Sequence, residues 1–105
     1  MLIKIKRIRI RGHTTDGVLS IDDQPFCETA ESTPNMMEAG LYHIRHTSRI
    51  FACGNGAYHR TDSRILVGQT LVPGIVFQTR ETYYKLYERI RKSISRGDNV
   101  LLIIQ

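Results

Sequence analysis

Hydrophobic and polar side chains alternate along the start of the chain. In residues 2–11 the first two isoleucines fall on one parity and the last two on the other (Ile3, Ile5, Ile8 and Ile10). Alternation with a period of two predicts a strand, and the change of phase at Lys6-Arg7 predicts a β-bulge that keeps all four isoleucines towards one core. Five basic side chains would then face solvent: Lys4, Lys6, Arg7, Arg9 and Arg11. We interpret them as protection of an edge strand, with nucleic-acid binding as the alternative.

Short apolar runs separated by turn residues predict further strands. Residues 18–21 and 26–29 flank an Asp- and Pro-rich turn at 22–25, which is a hairpin signal. We expect residues 30–38 to be a loop without a helix, because Pro34 holds the preceding residue in extended geometry. The remaining short strands are predicted at residues 39–46, 50–53, 65–67 and 75–77.

One segment, residues 80–96, has the spacing of an amphipathic helix. Its apolar side chains recur every three or four residues, with Thr79 as the predicted N-cap and Gly97 as the predicted C-terminal cap. The predicted buried stripe consists of Tyr83, Leu86, Tyr87, Ile90 and Ile94. The apolar run at residues 99–104 predicts a final strand in the middle of the sheet, buried on both faces.

Length and composition fit this pattern. A chain of 105 residues with 41% hydrophobic and 24% charged residues is expected to form one ordered domain. The predicted fold class is therefore α+β: a β-rich single domain with a curved mixed or barrel-like sheet, one C-terminal helix at about residues 80–96 and a final buried strand. We find neither a signal peptide pattern nor a run of 18 apolar residues in the sequence. We therefore expect a cytoplasmic protein without a membrane partner.

Side chains capable of chemistry are concentrated in residues 53–68. Four of them form the predicted binding loop: Asn55, His59, Asp62 and Arg64. The alternative is a thiol site in which His59 activates Cys53 as a nucleophile. Because Cys53 ends an apolar run, we favour a packed, reduced cysteine there, as for Cys27, and expect no catalytic residue.

The spacing of the histidines and of the glycines argues against a bound metal or cofactor. His43 and His46 are three apart, which on a strand places them on opposite faces, and the glycines at Gly54 and Gly56 are not followed by a helix that could bind phosphate. The formal net charge of +5 permits an anionic partner. A nucleic acid is not favoured, because acidic residues alternate with the basic ones on the predicted helix.

The order of several segments resembles a family of small phage and bacterial domains of unknown function, whose fuller members resemble L,D-transpeptidases. The resemblance rests on residues 15–22, 26–29 and 39–45, on Gly54-Asn55, Asp62 and residues 65–68, and on the basic helix and apolar strand that follow. It implies a histidine where this chain has Ala52 and a nucleophilic cysteine where it has Arg64. A guanidinium cannot form a thioester, so the resemblance implies a scaffold that has lost its nucleophile.

We therefore expect a non-catalytic binding or scaffold module of phage or mobile-element type. Its partner would be an anionic ligand or a protein. Two alternatives remain open: a cysteine enzyme of L,D-transpeptidase type acting on cell-wall peptide, and a nucleic-acid-binding module.

Overall fold

One mixed β-sheet organises the chain. The computed structural model describes residues 1–54, 61–72 and 75–105, and within them the sheet has eight strands in the order β4-β8-β1-β2-β3-β6-β5, with β7 paired to β6. The strands are β1 (Leu2–Arg11), β2 (Thr14–Ile21), β3 (Gln24–Ser32), β4 (Gly40–His43), β5 (Phe51–Ala52), β6 (Ile65–Val72), β7 (Ile75–Phe77) and β8 (Leu101–Ile104). Two α-helices, α1 (Thr47–Ile50) and α2 (Thr79–Ser95), and a 3-10 turn at Thr33–Asn35 complete the described elements. This confirms the β-rich α+β prediction, and the sheet is open rather than closed into a barrel.

Tight turns connect the first three strands. Asp22 and Asp23 join β2 to β3 with φ angles of 48° and 67°, as a two-residue type I′ turn requires. Asp22 also accepts a hydrogen bond from the backbone N–H of Leu2 at 2.8 Å, which ties the turn to β1. The hairpin prediction is confirmed, with a shorter turn than expected, since Pro25 already lies in β3.

The main core lies between the sheet and α2. Its buried members come from the strands, from α2 and from the segments after β4 and before β8: Ile3, Ile5, Leu19, Ile21, Cys27, Ile44, Phe51, Ile65, Val67, Leu86, Ile90, Val100, Leu102 and Ile104. A smaller cluster of Ala30, Leu66 and Val76 is distinct from this core, and in it β7 packs against β3 and β6. Both clusters follow from the alternation of side chains along the strands.

Strand β1 differs from its prediction in two ways. A bulge is present between Arg7 and Arg9, but Ile8 and Ile10 beyond it are 51% and 66% exposed instead of joining the core. The first half of β1 is also internal, paired with β2 on one side and β8 on the other, so edge protection does not explain Lys4. Arg9 and Arg11 lie in the second half, which pairs only with β2 among the described strands.

Arg7 was predicted to face solvent, but it forms a buried ion pair. Its Nε and one terminal nitrogen donate to the two carboxylate oxygens of Glu31 at 3.0 and 2.8 Å, and the same terminal nitrogen donates to the carbonyl of Met37. The Glu31 side chain is completely buried and that of Arg7 is 14% exposed. Two parallel N–H···O bonds satisfy both carboxylate oxygens, which is what allows the charge to be buried.

In the middle of the chain the strand bounds differ from the prediction, and short helices are present where none was expected. Strand β3 continues to Ser32, into the predicted loop, and Pro34 then occupies the first turn of a 3-10 helix, where a missing N–H costs nothing. Strand β4 ends at His43 rather than at residue 46, and α1 replaces the start of the strand predicted at 50–53.

Helix α2 confirms the predicted helix with a rotated buried face. Its buried residues are Thr82, Leu86, Ile90 and Ser93, whereas Tyr87 and Ile94, two members of the predicted stripe, are about two-fifths exposed. At the C-terminal end, Gly97 has a φ of 84°, and the N–H groups of Gly97 and Asp98 donate to the carbonyls of Ile94 and Ser93. These two bonds form a Schellman motif, as the glycine predicted.

Strand β8 lies inside the sheet, parallel to β1 and antiparallel to β4. Leu102 and Ile104 are buried in the main core, while Leu101 and Ile103 on the other face are half-buried. The predicted final strand is therefore confirmed, with one face more open than expected. In the described part of the chain, we find no helix that combines the length and apolar character needed to cross a membrane.

Candidate functional site

The predicted site begins where β5 and β6 run side by side. These strands are parallel, with Phe51 opposite Ile65 and Ala52 opposite Leu66. Cys53 therefore leaves β5 at one end of the pair, whereas Arg64 enters β6 at the other end. The two residues are thus not at the same end of the strands, although the sequence places them eleven apart.

Arg64 and Asp62 form a local ion pair at the start of β6. The backbone N–H of Arg64 donates to Oδ1 of Asp62 at 3.1 Å, and its Nε donates to Oδ2 at 3.0 Å. A terminal nitrogen of Arg64 lies 3.0 Å from the same Oδ2, and the other donates to the carbonyl of Ser48 in α1 at 3.4 Å. The guanidinium is therefore held from two directions while both side chains stay about two-fifths exposed.

The other end of the β5–β6 pair is tied to α2. The backbone N–H of Gly54 donates to Oγ1 of Thr79 at 2.9 Å, and Gly54 has a φ of 108°, a conformation that favours glycine. Thr79 was predicted to cap α2. Instead the N-cap is Gln78, in the left-handed region, and no side-chain capping bond forms. The Thr79 hydroxyl is engaged by the loop that follows β5.

Tyr83 in α2 is electrostatically linked to both ends of the pair. Burial raises the pKa of its phenol, and the Cys53 thiol acts in the same direction while the positive charge of Arg64 opposes it. Its ring also stacks on that of Tyr87, with centroids 6.4 Å apart. Tyr83 was predicted as a core residue; it is half-buried against the main core, and the charges of Cys53 and Arg64 both act on its phenol.

The two thiols have different environments. Cys27 is buried in the main core, and this burial raises the pKa of its thiol to about 12, so it stays protonated at neutral pH. Cys53 is half-buried at the end of β5. Only Cys53 is therefore placed to react with a reagent from solvent.

Two of the four predicted loop residues, Asn55 and His59, lie outside the described residues. The Cys53–His59 thiol site and the complete loop therefore stay predictions, whereas Asp62 and Arg64 are brought together. Ser48 in α1 was not predicted as a site residue, and Thr79 in α2 was predicted only as a helix cap. Among the described residues, no group of three or more histidine, cysteine, aspartate or glutamate side chains could hold a metal ion.

Comparison with models of protein families, with curated proteins and with solved structures finds no match to this chain. The resemblance to the phage and bacterial domains therefore stays a prediction based on the residues quoted above. At the positions that it implies, Ala52 is a buried strand residue and Arg64 is the ion-paired residue at the start of β6.

Proposed function

We propose that this chain is a non-catalytic binding domain of phage or mobile-element type, in which Arg64 holds an anionic group of the ligand. The observation that carries the proposal is the guanidinium of Arg64, fixed by Asp62 and Ser48 yet about two-fifths exposed. A guanidinium has five N–H donors, and these contacts use three of them. Within the described residues, the other two N–H groups of the part-exposed guanidinium remain available to a carboxylate or a phosphate.

Pre-orientation is the reason that Asp62 matters to this proposal. An exposed ion pair by itself contributes only about 0 to 1 kcal/mol to stability. Its larger effect is to remove side-chain freedom from Arg64, because a fixed guanidinium loses less entropy when a ligand binds. On this view Asp62 positions Arg64, and Arg64 makes the contact.

The resemblance selects the first ligand to test. Cell-wall peptides end in a carboxylate, so the probe is N-acetyl-D-alanyl-D-alanine, with its C-terminal amide as the uncharged control and inorganic phosphate as the second anion. We expect saturable chemical-shift changes at Arg64 with the free acid but not with the amide. Arg64→Ala should abolish them, and Arg64→Lys should weaken binding about tenfold because it keeps the charge and loses the fork.

Two results would contradict the proposal. One is that neither anion binds, and the other is that Arg64→Ala binds as well as the unchanged chain. Saturation by phosphate and not by the dipeptide would leave the anion site in place and remove the cell-wall peptide as its ligand.

The thiol-enzyme alternative requires that Cys53 be an activated, reactive thiol. Because Cys27 is buried and its pKa is raised to about 12, labelling of the folded chain reports on Cys53. Rapid labelling at about pH 6, suppressed by His59→Ala, would indicate an activated thiol and favour the enzyme. Labelling at the rate of an ordinary thiol supports the non-catalytic proposal.

The nucleic-acid alternative depends on the exposed face of α2. Six basic residues are exposed there and at its C-terminal end (Arg80, Lys85, Arg89, Arg91, Lys92 and Arg96), together with Glu81 and Glu88. Tyr84 is 58% exposed on the same helix, so an aromatic ring is available for stacking. Affinity for single-stranded DNA that falls steeply with salt would favour this alternative, since phosphate contacts release counterions.

A further inference from the structure

The second half of β1 has one side without a partner strand. Strand β8 pairs with Leu2–Ile5, and the carbonyl of Gln105 then accepts the backbone N–H of Arg7 at 3.3 Å. From residue 8 to residue 11, β2 is the only strand paired with β1 in the described part of the chain. Residues 8–11 therefore form an open sheet edge, which we call the β1 edge.

The backbone of this edge is ready to pair. Arg11 and Thr14 close the two-residue turn between β1 and β2, and Ile10 pairs with Thr15 one step earlier in the ladder. The closing pair of such a hairpin is hydrogen-bonded, and hydrogen-bonded and non-hydrogen-bonded pairs alternate along an antiparallel ladder. The N–H and C=O of Ile10 are therefore directed away from β2, towards the open side.

Apolar side chains are exposed along the same edge. Ile8 and Ile10 are 51% and 66% exposed, which is unusual for two isoleucines on one strand. A concavity of about 350 Å³ adjoins them, lined by Arg7, Ile8, Arg9, Ile10, Thr15 and Met36. An incoming strand would find both a backbone ladder and space for an apolar side chain.

The edge is anchored from within. The bulge between Arg7 and Arg9 separates it from the paired half of β1, and the buried Arg7–Glu31 pair fixes the strand at that point. On the far side, the hydroxyls of Thr15 and Thr33 share a hydrogen bond of 2.8 Å. A partner would therefore bind a preformed strand with little further ordering.

We propose that the β1 edge binds an extended peptide segment of a partner protein that alternates apolar and acidic side chains. Arg9 and Arg11 are exposed and flank Ile10, so a strand paired with the edge is favoured when it places carboxylates opposite the arginines and an apolar side chain opposite the isoleucine. Main-chain bonds supply affinity, and the two arginines select the sign of the partner's charge.

A second copy of this chain fits the edge poorly. Antiparallel pairing of two β1 edges about Ile10 would place Arg9 of one copy opposite Arg11 of the other. Like charges directly opposite each other on neighbouring strands are destabilising. The charge pattern therefore favours an acidic partner over self-association.

The test uses a blocked, fluorescein-labelled peptide of four glutamate-valine repeats and measures fluorescence anisotropy with the full chain. We expect Ile10→Pro, which removes the outward N–H, to weaken binding at least about tenfold, whereas Ile10→Thr, which keeps it, should weaken binding less than about threefold. The double variant Arg9→Glu/Arg11→Glu should also bind the peptide at least about tenfold more weakly. Arg64→Ala should leave binding unchanged, because the proposed anion site is separate.

A second test uses the unchanged chain, so its result does not depend on whether Ile10→Pro folds. The same peptide with methyl groups on the amides of alternate residues, made in both phases, should lose binding in one phase and keep it in the other. Absence of binding by the unmodified peptide, equal binding of both methylated peptides, or equal binding of a lysine-valine peptide would overturn the proposal. So would a dimer in sedimentation equilibrium that Ile10→Pro dissociates, since the edge would then be occupied by a second copy.

Discussion

Replacement of Arg7 by methionine tests the buried ion pair between β1 and β3. The change removes the guanidinium and leaves the completely buried Glu31 carboxylate without its two hydrogen bonds at 3.0 and 2.8 Å. Breaking a buried pair by removing one partner costs about 3 to 5 kcal/mol. Since a domain of this kind has roughly 5 to 15 kcal/mol of stability in total, Arg7→Met should lose a large part of it.

The assay is urea unfolding followed by circular dichroism. With a slope of roughly 1 to 2 kcal/mol per M urea for a small domain, the expected loss lowers the unfolding midpoint by about 1.5 to 5 M. Lys4→Met is the matched control, because Lys4 lies on the same strand and pairs with Asp23 at 3.2 Å on the surface. Removal of that exposed pair should cost at most about 1 kcal/mol.

A double substitution separates the charge from the packing. Arg7→Met/Glu31→Leu removes both ions and replaces them with apolar side chains, which is often neutral or stabilising relative to a buried pair. We therefore expect the double variant to be more stable than Arg7→Met alone. If Arg7→Met unfolds at the same urea concentration as Lys4→Met, or if the double variant is no more stable than the single one, the buried pair does not hold these strands as we argue.

Three further predictions concern the core, a thiol and a helix end. Ile90→Ala should cost about 2 to 5 kcal/mol and Lys85→Ala less than about 0.5, and equal shifts in the urea midpoint would place the buried face of α2 elsewhere. Burial raises the pKa of Cys27 from 9.0 to about 12, so the unfolded chain releases this proton at a lower pH than the folded chain does. The stability of the unchanged chain, relative to that of Cys27→Ala, should therefore fall above about pH 9 by about 1.4 kcal/mol per pH unit. A difference between these two chains that does not vary with pH would contradict that. Gly97→Ala should cost about 1 to 2 kcal/mol because its φ is 84°, and a variant as stable as the unchanged chain would argue against the Schellman cap.

The elements that were predictable from sequence are those with a local cause. The spacing of Leu86 and Ile90 indicates α2, Gly97 marks its end, and alternation marks β1 and β2, because each signal lies within a few residues of the structure that it specifies. The exposure of Ile8 and Ile10 depends instead on where β8 stops, at Ile104, almost a hundred residues away. No pattern within β1 carries that information.

In the candidate site, too, contacts between residues close in sequence were predictable and contacts that depend on packing were not. The pair of Asp62 and Arg64 could be anticipated, because residues two apart in a turn reach each other without help from the rest of the fold. Ser48 and Thr79 could not be anticipated, since their contacts depend on how α1 and α2 pack against β5 and β6. Glu31 was assigned to a loop for a related reason, as only the pairing of β2 with β3 brings it to Arg7.

The position of β8 between β1 and β4 has a consequence during translation. Until the ribosome has released β8, β1 exposes the apolar edge that includes Ile3 and Ile5, and β4 has no strand to join. The nascent chain can form the β1–β2–β3 meander from local contacts, but β8 joins the sheet only after the other described strands have been synthesised. Such a chain exposes an unpaired strand until β8 has been synthesised, which makes it a substrate for chaperones that bind extended apolar segments.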